Sequence, residues 1–202
     1  MTRDHQTVAF PRHRGFWRDR RRLLWRFLVA VPLFTVFSAH GQQRPTQYQV
    51  EATYLYNFSQ FVAWPATQST ERNPFNICVL GQDPFGPALT NLLADATVGG
   101  KSVTAKRIAT APEAVDCRIL FISSSEQTRL KEILTTLASA SVLTVSDLPE
   151  FTQRGGMVQF LLVDDRVRFE VNLAAAKRGG LTLSSELLKV ATNVIRTIPA
   201  GD

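Results

Sequence analysis

Several short stretches of this 202-residue chain hold side chains whose types and spacing could do chemistry. "GGKS", Gly99 to Ser102, resembles the tail of a phosphate-binding loop. Such a loop needs a glycine where this chain has Asp95, and a helix after its serine, where an alternating strand pattern follows. It reads as a turn. "SSELLK" offers serine beside lysine, but Ser185 and Lys189 are four apart and Ser184 and Lys189 five, not the three of a Ser-x-x-Lys nucleophile pair. Ser184 therefore reads as a helix N-cap, with Glu186 in the first turn. Asp164 and Asp165 could divide acid–base work, yet adjacent acids between two extended runs read as a tight turn. "GQDPFG", Gly81 to Gly86, has paired glycines, but Pro84 and Pro87 lack the amides that would cradle an anion. It reads as a strand-to-helix connection, at a position where a ligand crevice can form. A small solute held near Gly81 to Phe85 and Ser123 to Ser125 is the alternative function that this position keeps open.

The chain's three histidines are His5, His13 and His40. All fall in a segment that reads as a signal peptide, residues 1–41. Arg12, Arg14, Arg18, Arg20, Arg21, Arg22 and Arg26 precede the apolar run "FLVAVPLFTVFSA", and Ala39-His40-Gly41 fits a small-x-small cleavage site. An uncleaved anchor is the alternative, but the run falls short of the ~20 apolar residues a bilayer demands, and Pro32 interrupts it. "DRRRLL" also loosely resembles a twin-arginine signal. Residues 1–41 carry eight arginines and two aspartates, which is the whole net charge of +6. The 161 residues that follow hold fifteen Lys/Arg and fifteen Asp/Glu, and no histidine. A Ser-His-Asp triad, a Cys-His dyad and a His-ligated metal are thereby excluded there, and no cofactor is indicated. The high isoelectric point belongs to the leader, so nucleic acid is not an expected partner.

Cys78 and Cys117 are the only cysteines, both in predicted strands. In an oxidising compartment an even pair reads as a disulfide; two buried thiols are the other reading. In "RVRFEVN", Arg166 and Arg168 share one face of a strand with Glu170, as either a solvated face or a polar strip meeting a partner.

These residues need a scaffold. Residues 42–47 read as a polar lead-in. Tyr48 to Ala63 has helical spacing at Val50, Tyr54, Leu55, Phe58, Phe61 and Val62, with Pro65 ending it. Tyr54, Phe58, Phe61 and Val62 are expected in the core. Trp64, at the exit, is expected to be partly exposed, with an indole donor in need of a partner. "FNICVLG", "SVTAKRIA", "CRILFIS" and "SVLTVSD" read as strands. A helix with Leu89, Leu92 and Leu93 inward follows the first, and another over Ser125 to Leu137 follows the third. Gly155 to Asn172 reads as a hairpin about Asp164-Asp165. Helices are expected at Leu173 to Arg178 and Ser184 to Ile195, with Asn172 and Ser184 as N-caps. The class is α/β: a three-layer sandwich with a mostly parallel central sheet, helices on both faces and a C-terminal antiparallel hairpin as its edge.

In order, "YLYNFSQFVAWP", "FNICVLGQDPFG", "CRILFIS", "VLTVSDLPEFTQRGGMVQFLLVDDRVRFEVN" and "GLTLSSELLKVA" resemble the YfiR family of periplasmic proteins, over residues 48–198. The resemblance implies a non-enzymatic periplasmic regulator, often dimeric. Its partner would be the periplasmic domain of an inner-membrane diguanylate cyclase, which it holds inactive. Release raises cyclic di-GMP and promotes biofilm growth; a small-molecule effector is an open expectation. The family pattern places cysteines at Cys78 and Cys117, favouring the bridge. A second cysteine pair found in some members, matching Val142 to Gln153, is absent. Candidate contacts are Trp64, Arg166, Arg168, Asn172, Thr182 and Ser184, with the corner after Trp64 and the "GLTLSS" segment foremost.

Overall fold

The computed structural model describes residues 46–65 and 74–196; the expected leader and most of the lead-in lie outside them. Helix α1, Gln47–Phe61, begins at a capping box. Thr46 Oγ1 accepts from the Gln49 amide at 3.3 Å while Gln49 Oε1 accepts from the Thr46 amide at 2.7 Å, satisfying two donors that the first turn would leave free. One face carries Ala52, Leu55 and Phe58 into the core. The Phe58 ring packs against Tyr54, Phe160 and Phe169, with centroids 6.0, 5.9 and 5.3 Å away.

The helix stops at Phe61, four residues before Pro65. Tertiary pairing ends it. Val62–Ala63 turn extended as β1 and pair antiparallel with β9, Thr182–Leu183. Phe61, expected in the core, is consequently rotated outward and is 40% exposed.

The main sheet runs β10 (Asn193–Ile195), β8 (Arg166–Asn172), β7 (Val158–Val163), β6 (Leu143–Ser146), β5 (Ile119–Ile122), β2 (Phe75–Leu80), β4 (Lys101–Ile108) and β3 (Thr97–Val98). Its parallel centre is β2 (Phe75–Leu80), β4 (Lys101–Ile108), β5 (Ile119–Ile122) and β6 (Leu143–Ser146). Alternate residues of these strands enter two separate cores. Ile77, Val79, Ile119, Phe121, Leu143 and Val145 meet α1, α2 (Pro87–Leu93), α4 (Leu173–Arg178) and α5 (Ser185–Val190). Cys78, Leu80, Leu120 and Ile122 meet α3 (Leu130–Thr136) and the 3-10 turn Ala111–Asp116. Burial on both faces accounts for the near-continuous apolar runs. The expected three-layer α/β sandwich is what forms. On the second face Cys78 and Cys117 are joined as a disulfide, both wholly buried.

Three local expectations are corrected. Leu92 is 39% exposed, and only Leu89 and Leu93 of α2 face inward. The helix expected from Ser125 is first a 3-10 segment, Ser124–Arg129. Its tighter winding brings Ser125 Oγ to the Gln82 amide at 2.9 Å. The third correction is topological. β7 (Val158–Val163) and β8 (Arg166–Asn172) form the expected hairpin, turning on Asp164 and Asp165 at φ 50° and 56°. That turn geometry matches strand twist. The hairpin is not the edge, however, because α5 ends at Val190 and β10 (Asn193–Ile195) lies outside it, parallel to β8. The β-branched residues Thr192, Val194 and Ile195 suit a strand better than the helix expected there.

Candidate functional site

The candidate residues fall at two ends of the sheet and one interior position. At the amino ends of the parallel strands, the β1–β9 pair sets Ala63 opposite Thr182, so the Trp64 corner and the "GLTLSS" segment meet as one surface. Ser184 locks it twice: its amide donates to the Phe61 carbonyl at 2.8 Å, and its Oγ accepts from the Leu187 amide at 3.2 Å as the N-cap of α5. Thr182 is exposed and Trp64 half-buried. The Trp64 ring meets Phe75 edge-on at 5.3 Å. Its Nε1 is buried without a hydrogen-bond partner among the described residues, a state that costs free energy until a partner arrives. Trp64, Ser59, Phe75, Gly99, Lys101 and the buried Arg118 line a cavity of about 340 Å³. Its wall is apolar with cationic groups beside it.

Arg166 and Arg168 lie at the opposite end, beside the hairpin turn. Both are exposed, and neither has an acid within ion-pair distance among the described residues. With Gln47, Val50, Leu162, Asp165 and Val167 they line a groove of about 710 Å³ between α1 and the hairpin. Leu162 and Val163 there are 55% and 44% exposed. Asn172 belongs to neither surface. It is buried, its Nδ2 donating to the Thr152 carbonyl and its Oδ1 accepting from the Ala175 amide, each at 2.8 Å, which makes it the N-cap of α4. Glu170, expected beside the two arginines, is also buried, bonded to Thr152 and Gln153.

The stretches set aside on sequence grounds have structural employment. Gly99 and Gly100, at φ 57° and 77°, make the turn from β3 (Thr97–Val98) into β4. Lys189 Nζ is bonded to Glu186 at 2.8 Å. Gly81, at φ 89°, lies close against the following segment: a Cβ placed there would come within 2.5 Å of Ser125 Oγ and 2.8 Å of Glu126. Asp83 is held by Arg107 at 2.7 Å. Among the described residues no group of three or more acids or cysteines could hold a metal ion, and no helix is long and apolar enough to cross a membrane.

One cluster escaped the sequence reading. Glu51 of α1 is fully buried, accepting from Gln47 Nε2 at 2.8 Å through Oε1, while Oε2 has no partner among the described residues. The Tyr48 hydroxyl donates to Oδ2 of the half-buried Asp147 at 3.3 Å, and Asp147 Oδ1 is itself buried and unpartnered among the described residues. Burial pushes Glu51 up to about 7, with the neighbouring Asp147 charge adding to it. Burial also raises Asp147, and burial with both acids raises the Tyr48 phenol. A sequence signal existed: Glu51 is the only charge in α1, and it falls on the stripe Tyr48–Ala52–Leu55–Phe58.

The candidate residues thus leave two features at the surface, an aromatic corner at Trp64 and a groove flanked by Arg166 and Arg168. The chain belongs to the YfiR/HmsC-like family, a DUF4154-type domain, which it matches over residues 48–192. That family is regulatory, not catalytic. No curated protein matches the sequence. Among solved structures the chain is similar to a conserved domain protein from Vibrio cholerae O1 biovar El Tor, at 11% identity and a TM-score of 0.49. The match covers 74% of this chain and 60% of that one. It is also similar to an ABC domain in complex with L-Trp from Streptococcus pneumonia, at 13% identity and a TM-score of 0.44, covering 60% and 55%. The chain thus spans about three-fifths of the length of these structures.

Proposed function

We propose that this protein is exported, loses residues 1–41, and acts in the periplasm as a 48–198 domain that binds the external domain of an inner-membrane diguanylate cyclase. Binding holds the cyclase inactive and lowers cyclic di-GMP, restraining biofilm growth. The observation that carries this reading is family membership over residues 48–192. Repression of this kind needs no reaction at the binding surface. It needs preference for the inactive partner state, and ~1.4 kcal/mol of preference shifts that equilibrium only tenfold, so useful repression takes several.

Trp64 is the proposed anchor, with Thr182 and Ser184 beside it. A half-buried indole with an unmatched donor is the kind of residue that dominates an interface. Arg166 and Arg168 supply a second contact, in which acidic partner groups would speed encounter more than they tighten the complex. Asn172 contributes indirectly by fixing the start of α4. A homodimer and a small effector are compatible with this arrangement, which leaves both surfaces open. Trp64→Ala is expected to weaken binding to the purified external domain at least ~30-fold, the scale of a 2 kcal/mol hot spot. Isothermal titration measures it, and an unchanged affinity with the fold intact would remove Trp64 from the interface.

A further inference from the structure

The carboxyl-end cluster has three properties that a merely structural acid lacks. Glu51 is wholly buried, the half-buried Asp147 is tied to Tyr48, one turn from Glu51 on the same helix, and one oxygen of each acid is buried without a partner among the described residues. Among the described residues neither acid is ion-paired. Helix α2, packed on α1, has no titratable side chain, and Asp83 ahead of it is taken up by Arg107. On β8, Glu170 is bonded to Thr152 and Gln153, while Arg166 and Arg168 are exposed at the hairpin end. On α5, Glu186 and Lys189 pair with each other. An ionised Glu51 without a counter-charge is disfavoured in so buried a place, and a charged Asp147 nearby adds to that, so either Glu51 keeps its proton or the contact opens.

We infer that Glu51, Asp147 and Tyr48 form a proton-controlled latch: protonated Glu51 holds the first turns of α1 against the end of β6, and loss of that proton to solvent loosens α1 and reshapes the groove it forms with the β7–β8 hairpin. The route to the surface is short. Gln47, which donates to Glu51, is itself a wall of that groove, with Val50 beside it and Arg166 and Arg168 opposite.

The sign follows from linkage. Glu51 is raised in the folded state from 4.5 to about 7, so the closed form binds more protons than the open one between those values. Closure is strongest at low pH and is lost as pH climbs through that window, levelling off above it. Amide hydrogen exchange between pH 4.5 and 8.5, corrected for intrinsic rates, tests this on the intact protein without any partner. The opening equilibrium of amides 48–55 is expected to rise about tenfold per pH unit up to about 7 and then to flatten. Amides of β2 and β5 should not follow it. Glu51→Gln keeps the acceptor for Gln47, cannot ionise, and should abolish the slope. Asp147→Asn removes the neighbouring charge and should move the plateau to lower pH, which serves if the first variant fails to fold. A flat wild-type profile, a slope retained in Glu51→Gln, an unmoved plateau in Asp147→Asn, or opening shared equally by the core strands would each overturn the latch.

Discussion

Replacing both Cys78 and Cys117 by alanine is expected to lower the unfolding free energy by about 4 kcal/mol. The bridge closes a loop with a sequence separation of 39 residues, and the chain-entropy model assigns roughly that value to a loop of this length. Both sulfurs are buried in the second core, between β2 and the turn leading into β5. Two vacated sulfur positions therefore add packing loss to the entropic effect. Calorimetry should show a midpoint lower by roughly 10 °C for a domain of this size. A loss under ~1 kcal/mol would mean that the bridge constrains little in the unfolded chain, and that the strand ladder alone holds this face.

The second large effect is expected from Phe58→Ala. Phe58 is 1% exposed and touches three aromatic rings drawn from α1, β7 and β8. Truncation leaves a cavity where one helix meets the hairpin, and phenylalanine-to-alanine changes of this type cost about 3–5 kcal/mol. Chemical denaturation measures it. Trp64, six residues after Phe58 and beyond the end of α1, provides the contrast: Trp64→Ala should lose much less stability while losing far more binding. If Phe58→Ala proved as mild as a surface substitution, α1 would not be the keystone of its layer.

Much of the fold can be read from local pattern. The continuous runs around Ile77, Leu120 and Thr144 are strands covered on both faces, and that burial follows from composition alone. Asp164-Asp165, Gly99-Gly100 and the caps at Asn172 and Ser184 were legible because each rests on short-range chemistry. What was not legible depends on partners distant in sequence. Phe61 has a helical core position, but the pairing of Val62 with Leu183 turns it out to solvent. The stretch after Val190 has too few residues to separate a helical period from a strand period, and only the open edge of β8 decides it. The candidate contacts divided for the same reason. Trp64, Thr182 and Ser184 converge through β1 and β9, Arg166 and Arg168 lie at the other end, and Asn172 is an interior cap. Glu51 was missed because an acid within an amphipathic helix is usually solvated; only its place on the apolar stripe betrays it.

In the proposed function the protein would repress a membrane cyclase by occupying its external domain. The most direct measurement is turnover of GTP trapped inside sealed membrane vesicles to cyclic di-GMP by that cyclase, its external domain facing the medium, with and without the mature protein added outside. Saturating protein should lower the rate at least tenfold, and Trp64→Ala should restore it at the same concentration. A rate unchanged while the protein is bound would contradict the account.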